Sequence, residues 1–364
     1  MNLLPLLILL MTTPEATSDH VSPAIASPER KPTTPDGMIW IEGGSFQMGG
    51  VGEEARDDER PVHEVSIDGF LIDVNEVTNR QFKAFVDATN YVTVAERPVD
   101  WEQLRQQLPP GTAKPSDELL APGSLVFARP DQPVDLNNPS MWWRWTSHAS
   151  WKQPQGPDST IDDLLEHPVV HVSHEDATAY CRWANRRLPT EAQWEFASRG
   201  GLERGIYSWG DDPIEPTHAN IWQGRFPNEN TLEDGYLMTA PVGSFPANGY
   251  GLHDMAGNVW EWCQDRYRPD TYTLRLTSND LVRNPTGPAD AFDPRTPHAK
   301  DVRVHRGGSF LCNAVYCDSY RPSARMATTP DTGMSHLGFR TVATPEMLTP
   351  ANAGKTTGQI KADQ

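Results

Sequence analysis

Arg187-Leu-Pro-Thr-Glu-Ala-Gln-Trp-Glu195 and Gly257-Asn-Val-Trp-Glu-Trp262 are the two stretches from which the rest of this chain is read. In the first, Thr190 precedes Gln193 by three positions. That is a capping-box pattern, in which each side chain satisfies the other residue's backbone N–H, so a helix is expected from Thr190 to Ser198. In the second, Trp260 and Trp262 flank Glu261, and Cys263 follows. A cysteine beside such side chains reads as a buried core thiol. The chain has 12 tryptophans, which bring large apolar area and indole N–H groups that need partners.

Working outward, Ser173 caps a helix running to about Asn185, with Ala177, Tyr180, Cys181 and Ala184 at helical spacing. Cys181 there also reads as a core thiol. Glu76-Val-Thr78 opens another helix, with Thr78 as N-cap and Phe82, Phe85 and Val86 on one face. Met38-Ile-Trp-Ile-Glu42 alternates as a strand does, and Gly43-Gly44 bounds it before Ser45-Phe-Gln-Met48. A charged loop runs from Glu53 to Arg60. Val62 to Ile72 reads as a strand, and Gly338-Phe-Arg-Thr-Val342 as a short final one. Gly43-Gly-Ser-Phe46 and Gly307-Gly-Ser-Phe310 resemble each other, and each is expected to form a tight turn feeding a strand. They do not recur at a fixed period, so the chain is no solenoid. Residues 99–160 lack periodicity, but Trp142, Trp143, Trp145 and Trp151 argue that they are packed. From Gly200 onward turns dominate. With 33 prolines and 27 glycines, an ordered but loop-rich fold is expected.

The net charge of −18 repels phosphates and argues against nucleic-acid binding. Carboxylates in loops can instead hold hard cations. Residues 1–36 read as a signal-like apolar segment, Met1–Met11, followed by a flexible linker rich in Pro, Thr, Ser and Ala. Met1–Met11 is too short to span a bilayer, and no other segment is apolar enough. Export to the periplasm or medium follows if it acts as a signal, and a cytoplasmic location if it does not. One domain is expected over 37–345, with a polar tail over 346–364.

Cys312 and Cys317 lie in Gly307-Gly-Ser-Phe-Leu-Cys-Asn-Ala-Val-Tyr-Cys317. Two thiolates suit soft copper(I), a redox-active disulfide or a plain structural disulfide, and the spacing does not choose. Two further stretches are rich in oxygen donors, Asn220-Ile221 with Asp234-Gly-Tyr236, and Asp254 to Glu261. Each can supply the carboxylate, amide and carbonyl mixture that calcium takes, or simply form turns.

These stretches together resemble the formylglycine-generating enzymes, or sulfatase-modifying factors, over roughly residues 37–343. The resemblance also rests on Gly43-Gly-Ser-Phe-Gln-Met48, Asn138-Pro-Ser-Met-Trp-Trp143, Gly156-Pro-Asp-Ser-Thr160, His167-Pro-Val-Val-His-Val-Ser173, Gly249-Tyr-Gly-Leu252 and Leu337-Gly-Phe-Arg340. It implies an α+β fold, a single compact loop-rich domain related to the C-type lectin fold. It implies oxidation by molecular oxygen of a cysteine in a Cys-x-Pro-x-Arg motif of a nascent sulfatase to Cα-formylglycine, with a thiol as reductant and the enzyme a monomer. By resemblance Cys312 and Cys317 hold copper(I), Ser309 orients oxygen or an intermediate, and Trp260 lines the pocket and excludes water. One calcium would take Asn220, the Ile221 carbonyl, Asp234 and the Tyr236 carbonyl. A second would take Asp254, the Gly257 and Val259 carbonyls and Glu261. Two family disulfides are missing: Cys181 faces Thr341 at its partner's position, and the other pair is Ser198 and Pro322. Cys181 is therefore expected to be a free thiol.

Two other functions compete. A non-catalytic lectin-like binding module of the same superfamily would not be expected to carry the cysteine pair. An iron-dependent sulfoxide synthase would be expected to carry an additional His-rich helical domain.

Overall fold

The computed structural model describes residues 34–277 and 282–349. The signal-like segment, nearly all of its linker and most of the polar tail lie outside the described residues. The strands are β1 Met38–Ile41, β2 Gly44–Met48, β3 His63–Ile67, β4 Phe70–Asp73, β5 Gly123–Phe127 and β6 Trp143–Ser147. They continue with β7 Trp260–Arg266, β8 Val282–Arg283, β9 Arg303–Arg306, β10 Met326–Thr328, β11 Leu337–Gly338 and β12 Val342–Ala343. The helices are α1 Asn79–Thr89, α2 Trp101–Leu104, α3 His174–Trp183, α4 Glu191–Ser198 and α5 Thr271–Leu276. No helix among the described residues is long and apolar enough to cross a membrane.

The strands form small sheets ordered β1-β4-β12, β10-β9-β7-β11, β2-β3-β8 and β5-β6. β7 divides two apolar cores. Alternate side chains of a strand face opposite ways. Trp260 and Trp262 accordingly enter a core built from α1, α3, Trp151, Tyr320 and Cys312. Cys263 enters a second core with β2, β3, α4 and Tyr272.

Thr78, Ser173 and Thr190 cap α1, α3 and α4, each in a reciprocal capping box. Every residue of α4 is buried. Its two glutamates are therefore paired: Glu191 with Arg325 and Arg306, Glu195 with Arg306 and Arg199. Burying a carboxylate without such partners would be strongly unfavourable.

Several expectations are corrected. Val62–Ile72 is two strands, because β3 pairs with β2 whereas β4 pairs with β1 in another sheet. Gly69 makes the join, where any side chain would strike the Trp40 ring. Gly338–Val342 is likewise split, because Arg340 between β11 and β12 turns inward to Glu261. The two Gly-Gly-Ser-Phe motifs differ: Gly44 begins β2, whereas Gly307 and Gly308 follow β9 as a turn with φ of 94° and 70°. Turns do dominate from Gly200 onward, broken chiefly by β7 and α5, whereas residues 99–160 contain the antiparallel pair β5–β6.

Candidate active site

The turn after β9 carries the site. A side chain at Gly308 would crowd the Tyr320 backbone nitrogen, 2.9 Å from the added carbon, and Cys312 Sγ, 3.1 Å away. Glycine therefore allows the close approach as well as the positive φ. The Ser309 carbonyl accepts the Cys312 N–H at 2.8 Å, and Asn313 accepts the Cys317 N–H at 2.8 Å. The two sulfurs are brought to 2.6 Å, and neither cysteine is in a disulfide.

The two thiols are unlike. Cys312 is buried, and burial with its hydrogen bond to Cys317 pushes it well above the ordinary thiol value. Cys317 is half-buried. Hydrogen bonds from Cys312 and Ser319, with Arg56 nearby, bring it down to about 7. One proton shared by two adjacent sulfurs belongs to the pair, and the sulfur nearer the surface and Arg56 is the better anion. The chain beside it is open: Val315 is 84 % exposed. Tyr316 stacks on Phe226 at 4.7 Å and meets Trp142 edge-on at 5.4 Å. Those rings belong to a small apolar cluster with Trp222, Phe310 and Leu311.

Ser309 is fully buried, and its Oγ lies 3.0 Å from His336 Nδ1. The Trp260 N–H donates to the His336 carbonyl, and Trp260 shares its core cluster with Cys312. The Trp260 ring packs edge-on against His305. His336 was not singled out in the sequence. Its only local signal is its place one residue before Leu337-Gly-Phe-Arg340.

The oxygen-rich stretches meet at Asn258. Its N–H donates to the Asn220 carbonyl, its Oδ1 accepts from Ala240 N and Asn220 Nδ2, and its carbonyl accepts the Phe310 N–H. Gly257 donates to Gly307. A side chain at Gly257 would strike the Asn220 carbonyl. The loop that carries the oxygens thus also holds the cysteine turn.

In the first stretch, Asn220 Oδ1 and Asp234 Oδ2 are buried and have no hydrogen-bond partner among the described residues. In the second, Glu261 accepts from Arg340 at 2.7 Å through both oxygens and from Trp194 Nε1 at 2.8 Å, and Asp254 accepts the Gly243 N–H. Glu76 stands against them, with both carboxylate oxygens buried and without a partner among the described residues. Burial, Asp254 and Glu261 all push its carboxyl well above the usual range. Glu76, Asp254 and Glu261 all stand around Arg340, and a cation among them would favour the ionised forms that burial disfavours. Among the described residues no group of three or more His, Cys, Asp or Glu side chains forms a ready metal cage. The donors here are mixed with amides and carbonyls, as calcium accepts. Glu76 was missed because nothing in its local sequence points to residues so much later in the chain.

Cys181 and Cys263 are buried free thiols. Thr341 hydrogen-bonds Asp73, Ser198 bonds Ser208, and the Pro322 carbonyl accepts from Arg306.

A family model described as a sulfatase-modifying factor enzyme 1-like domain matches residues 24–345. A formylglycine-generating enzyme of Thermomonospora curvata is 46 % identical over 315 residues, covering 85 % of this chain and 94 % of that protein. A cattle relative named inactive Cα-formylglycine-generating enzyme 2 is 39 % identical, covering 83 % of this chain and 86 % of its own. The solved structure of PvdO from Pseudomonas aeruginosa shares the fold at a TM-score of 0.55 and 23 % identity, over 84 % of this chain and 93 % of that one. From the family match and the identity along nearly the whole domain, this chain belongs to the sulfatase-modifying factor family, that of the formylglycine-generating enzymes.

Proposed function

We propose that this chain converts a sulfatase cysteine to Cα-formylglycine with copper(I) held by Cys312 and Cys317 and molecular oxygen as oxidant. The observation that carries it is the pair of unbridged sulfurs at 2.6 Å, one buried and one reaching an exposed, aromatic-rimmed face. Two soft donors leave room for a third sulfur from the substrate. When bound there, copper(I) would supply one-electron activation of oxygen.

The chain's own residues prepare that chemistry. Cys317 is already the more acidic thiol, so a metal displaces its proton readily. Trp260 and Tyr320 wall the inner side of Cys312 and exclude water. Ser309 presents its hydroxyl to the reacting atoms. The atoms balance as substrate thiol, dioxygen, two electrons and two protons giving aldehyde, hydrogen sulfide and water. Two molecules of a thiol reductant supply the electrons by forming one disulfide. Calcium held by Asn220, Ile221, Asp234 and Tyr236, and by Asp254, Gly257, Val259 and Glu261, would stiffen the loops beneath the turn.

The second reading, a lectin-like binding module, is kept in view by the relative named inactive. One experiment decides between them. The protein, loaded with copper(I), is given a Cys-x-Pro-x-Arg peptide, oxygen and a thiol, and an aldehyde probe with mass spectrometry follows the product. Conversion that requires copper and Cys317 supports the oxidase; binding of the peptide without conversion supports the module.

A further inference from the structure

Four parts of the site converge on a residue that none of the sequence motifs named. The His336 ring lies 4.8 Å from Trp143 and 6.5 Å from Phe310, both edge-on. Its carbonyl takes the Trp260 N–H at 2.9 Å, and its Nδ1 reaches Ser309 Oγ at 3.0 Å. The backbone on either side is pinned. Ser335 N donates to the Leu125 carbonyl and Ser335 Oγ accepts the Phe127 N–H, tying it to β5, while Leu337 pairs with Trp260 of β7. An imidazole held on two rigid strands is placed to fix whatever it touches.

What it touches is a hydroxyl with one proton and two acceptor positions. The Leu311 N–H already fills one acceptor position of Ser309 Oγ at 3.2 Å. We infer that His336 is a positioning residue whose Nδ1–H fills the other, which turns the Ser309 hydroxyl into an obligate donor toward the reacting sulfur or oxygen atom. Were the ring to accept instead, the single hydroxyl proton would be directed into His336 and away from the reaction. Burial and His171 keep the ring neutral, down to about 3, so it directs the hydroxyl without competing as a cation. Its Nε2 has no hydrogen-bond partner among the described residues, so no protein group holds the proton there. This inference rests on the proposed action of Ser309 at the reacting centre.

The test compares His336→Leu, His336→Asn, Ser309→Ala and the double variant Ser309→Ala/His336→Leu in peptide turnover. The affinities for copper(I) and for the peptide are measured on the same proteins. His336→Leu is expected to lower kcat about tenfold to a hundredfold, as loss of a partner that orients an acting group does. KM and copper affinity should stay as they are, and His336→Asn, which keeps an N–H donor, should recover most of the rate. The double variant should be no slower than Ser309→Ala, because both changes remove one hydroxyl's action. In the unaltered protein, nitrogen-15 NMR of the histidine rings should show His336 Nδ1 protonated. Additive losses in the double variant, or an unprotonated Nδ1, overturn the inference and leave the copper site standing. Loss of thermal stability in step with activity for both His336 variants marks a purely structural role and also overturns it. Full activity in Ser309→Ala removes the premise about Ser309, and the inference with it, while dependence on Cys317 still reports separately on the oxidase reading.

Discussion

The cysteine segment and the oxygen-rich loops are neighbours, joined through Asn258 and Gly257, yet they are built on opposite terms. The first runs from a buried sulfur to a half-exposed one and out to Val315 at 84 % exposure. The second keeps buried the oxygens of Asn220 and Asp234, and of Glu76 beside it, that have no partner among the described residues. A sulfur that must meet a polypeptide has to stand at the surface. A cation that only stiffens a loop gains from enclosure, where each oxygen lacks water to compete with it. On the proposed reading chemistry and support fall to different loops, and because Gly257 and Asn258 tie the two together, substitutions must be aimed at side chains that belong to one loop alone.

The largest effect should come from Cys317→Ser. Turnover and copper(I) binding should vanish together, while thermal stability stays nearly unchanged because the side chain is only half-buried. Copper-dependent turnover in that variant would sink the proposed site and erase the contrast between the loops. Next is Arg340→Met, which strands Glu261, Asp254 and Glu76 without their guanidinium. Breaking such a buried pair should cost about 3–5 kcal/mol by urea denaturation. Added calcium should restore part of it; a variant blind to calcium would argue that Arg340 alone neutralises the second stretch.

A smaller effect is expected from removing calcium with a chelator. At calcium about 100-fold above its dissociation constant the folded state gains ~2.7 kcal/mol, seen as a rise in Tm. Asp234→Asn and Glu76→Gln should each shrink that rise. An unchanged rise in both would detach these oxygens from calcium altogether. The subtlest prediction concerns acidity in the metal-free protein. The folded Cys317 lies at about 7, below the ordinary thiol, so its thiolate fraction falls as pH drops through that value and is nearly complete well above it. Alkylation by iodoacetamide, mapped by peptide mass, should therefore show a midpoint near pH 7 at Cys317 and leave Cys312 unreacted there. A midpoint near pH 9 at Cys317 would remove the asymmetry between the two thiols.

What the sequence disclosed was local. Thr78, Ser173 and Thr190 could be read as caps because each partner, Gln81, Asp176 or Gln193, lies three residues away. The α+β, loop-rich fold and the family followed from motifs whose meaning is carried by short spacing. The break inside Val62–Ile72 could not be read, since it depends on which distant strand each half meets. Arg340 looked like a strand residue because the carboxylate that turns it inward belongs to β7. His336 and Glu76 escaped for the same reason: their importance lies entirely in partners far along the chain.

The sheet β1-β4-β12 has a consequence for how the molecule is made. β12 closes against β4 at Val342↔Ile72 and Ala343↔Leu71, so the earliest described strands wait for the last. β11 likewise completes the sheet that holds Trp260 only once Leu337 is in place. Contacts between segments so distant form slowly, since a long loop must close before any of them is gained. On the ribosome the cysteine turn would emerge after Trp260 but before Tyr320 and the closing strands β11 and β12, and the nascent chain would hold an incompletely enclosed thiol pair until synthesis had passed Ala343. A chaperone or a reducing thiol acting during that interval would therefore influence the yield of active protein more than one added after release.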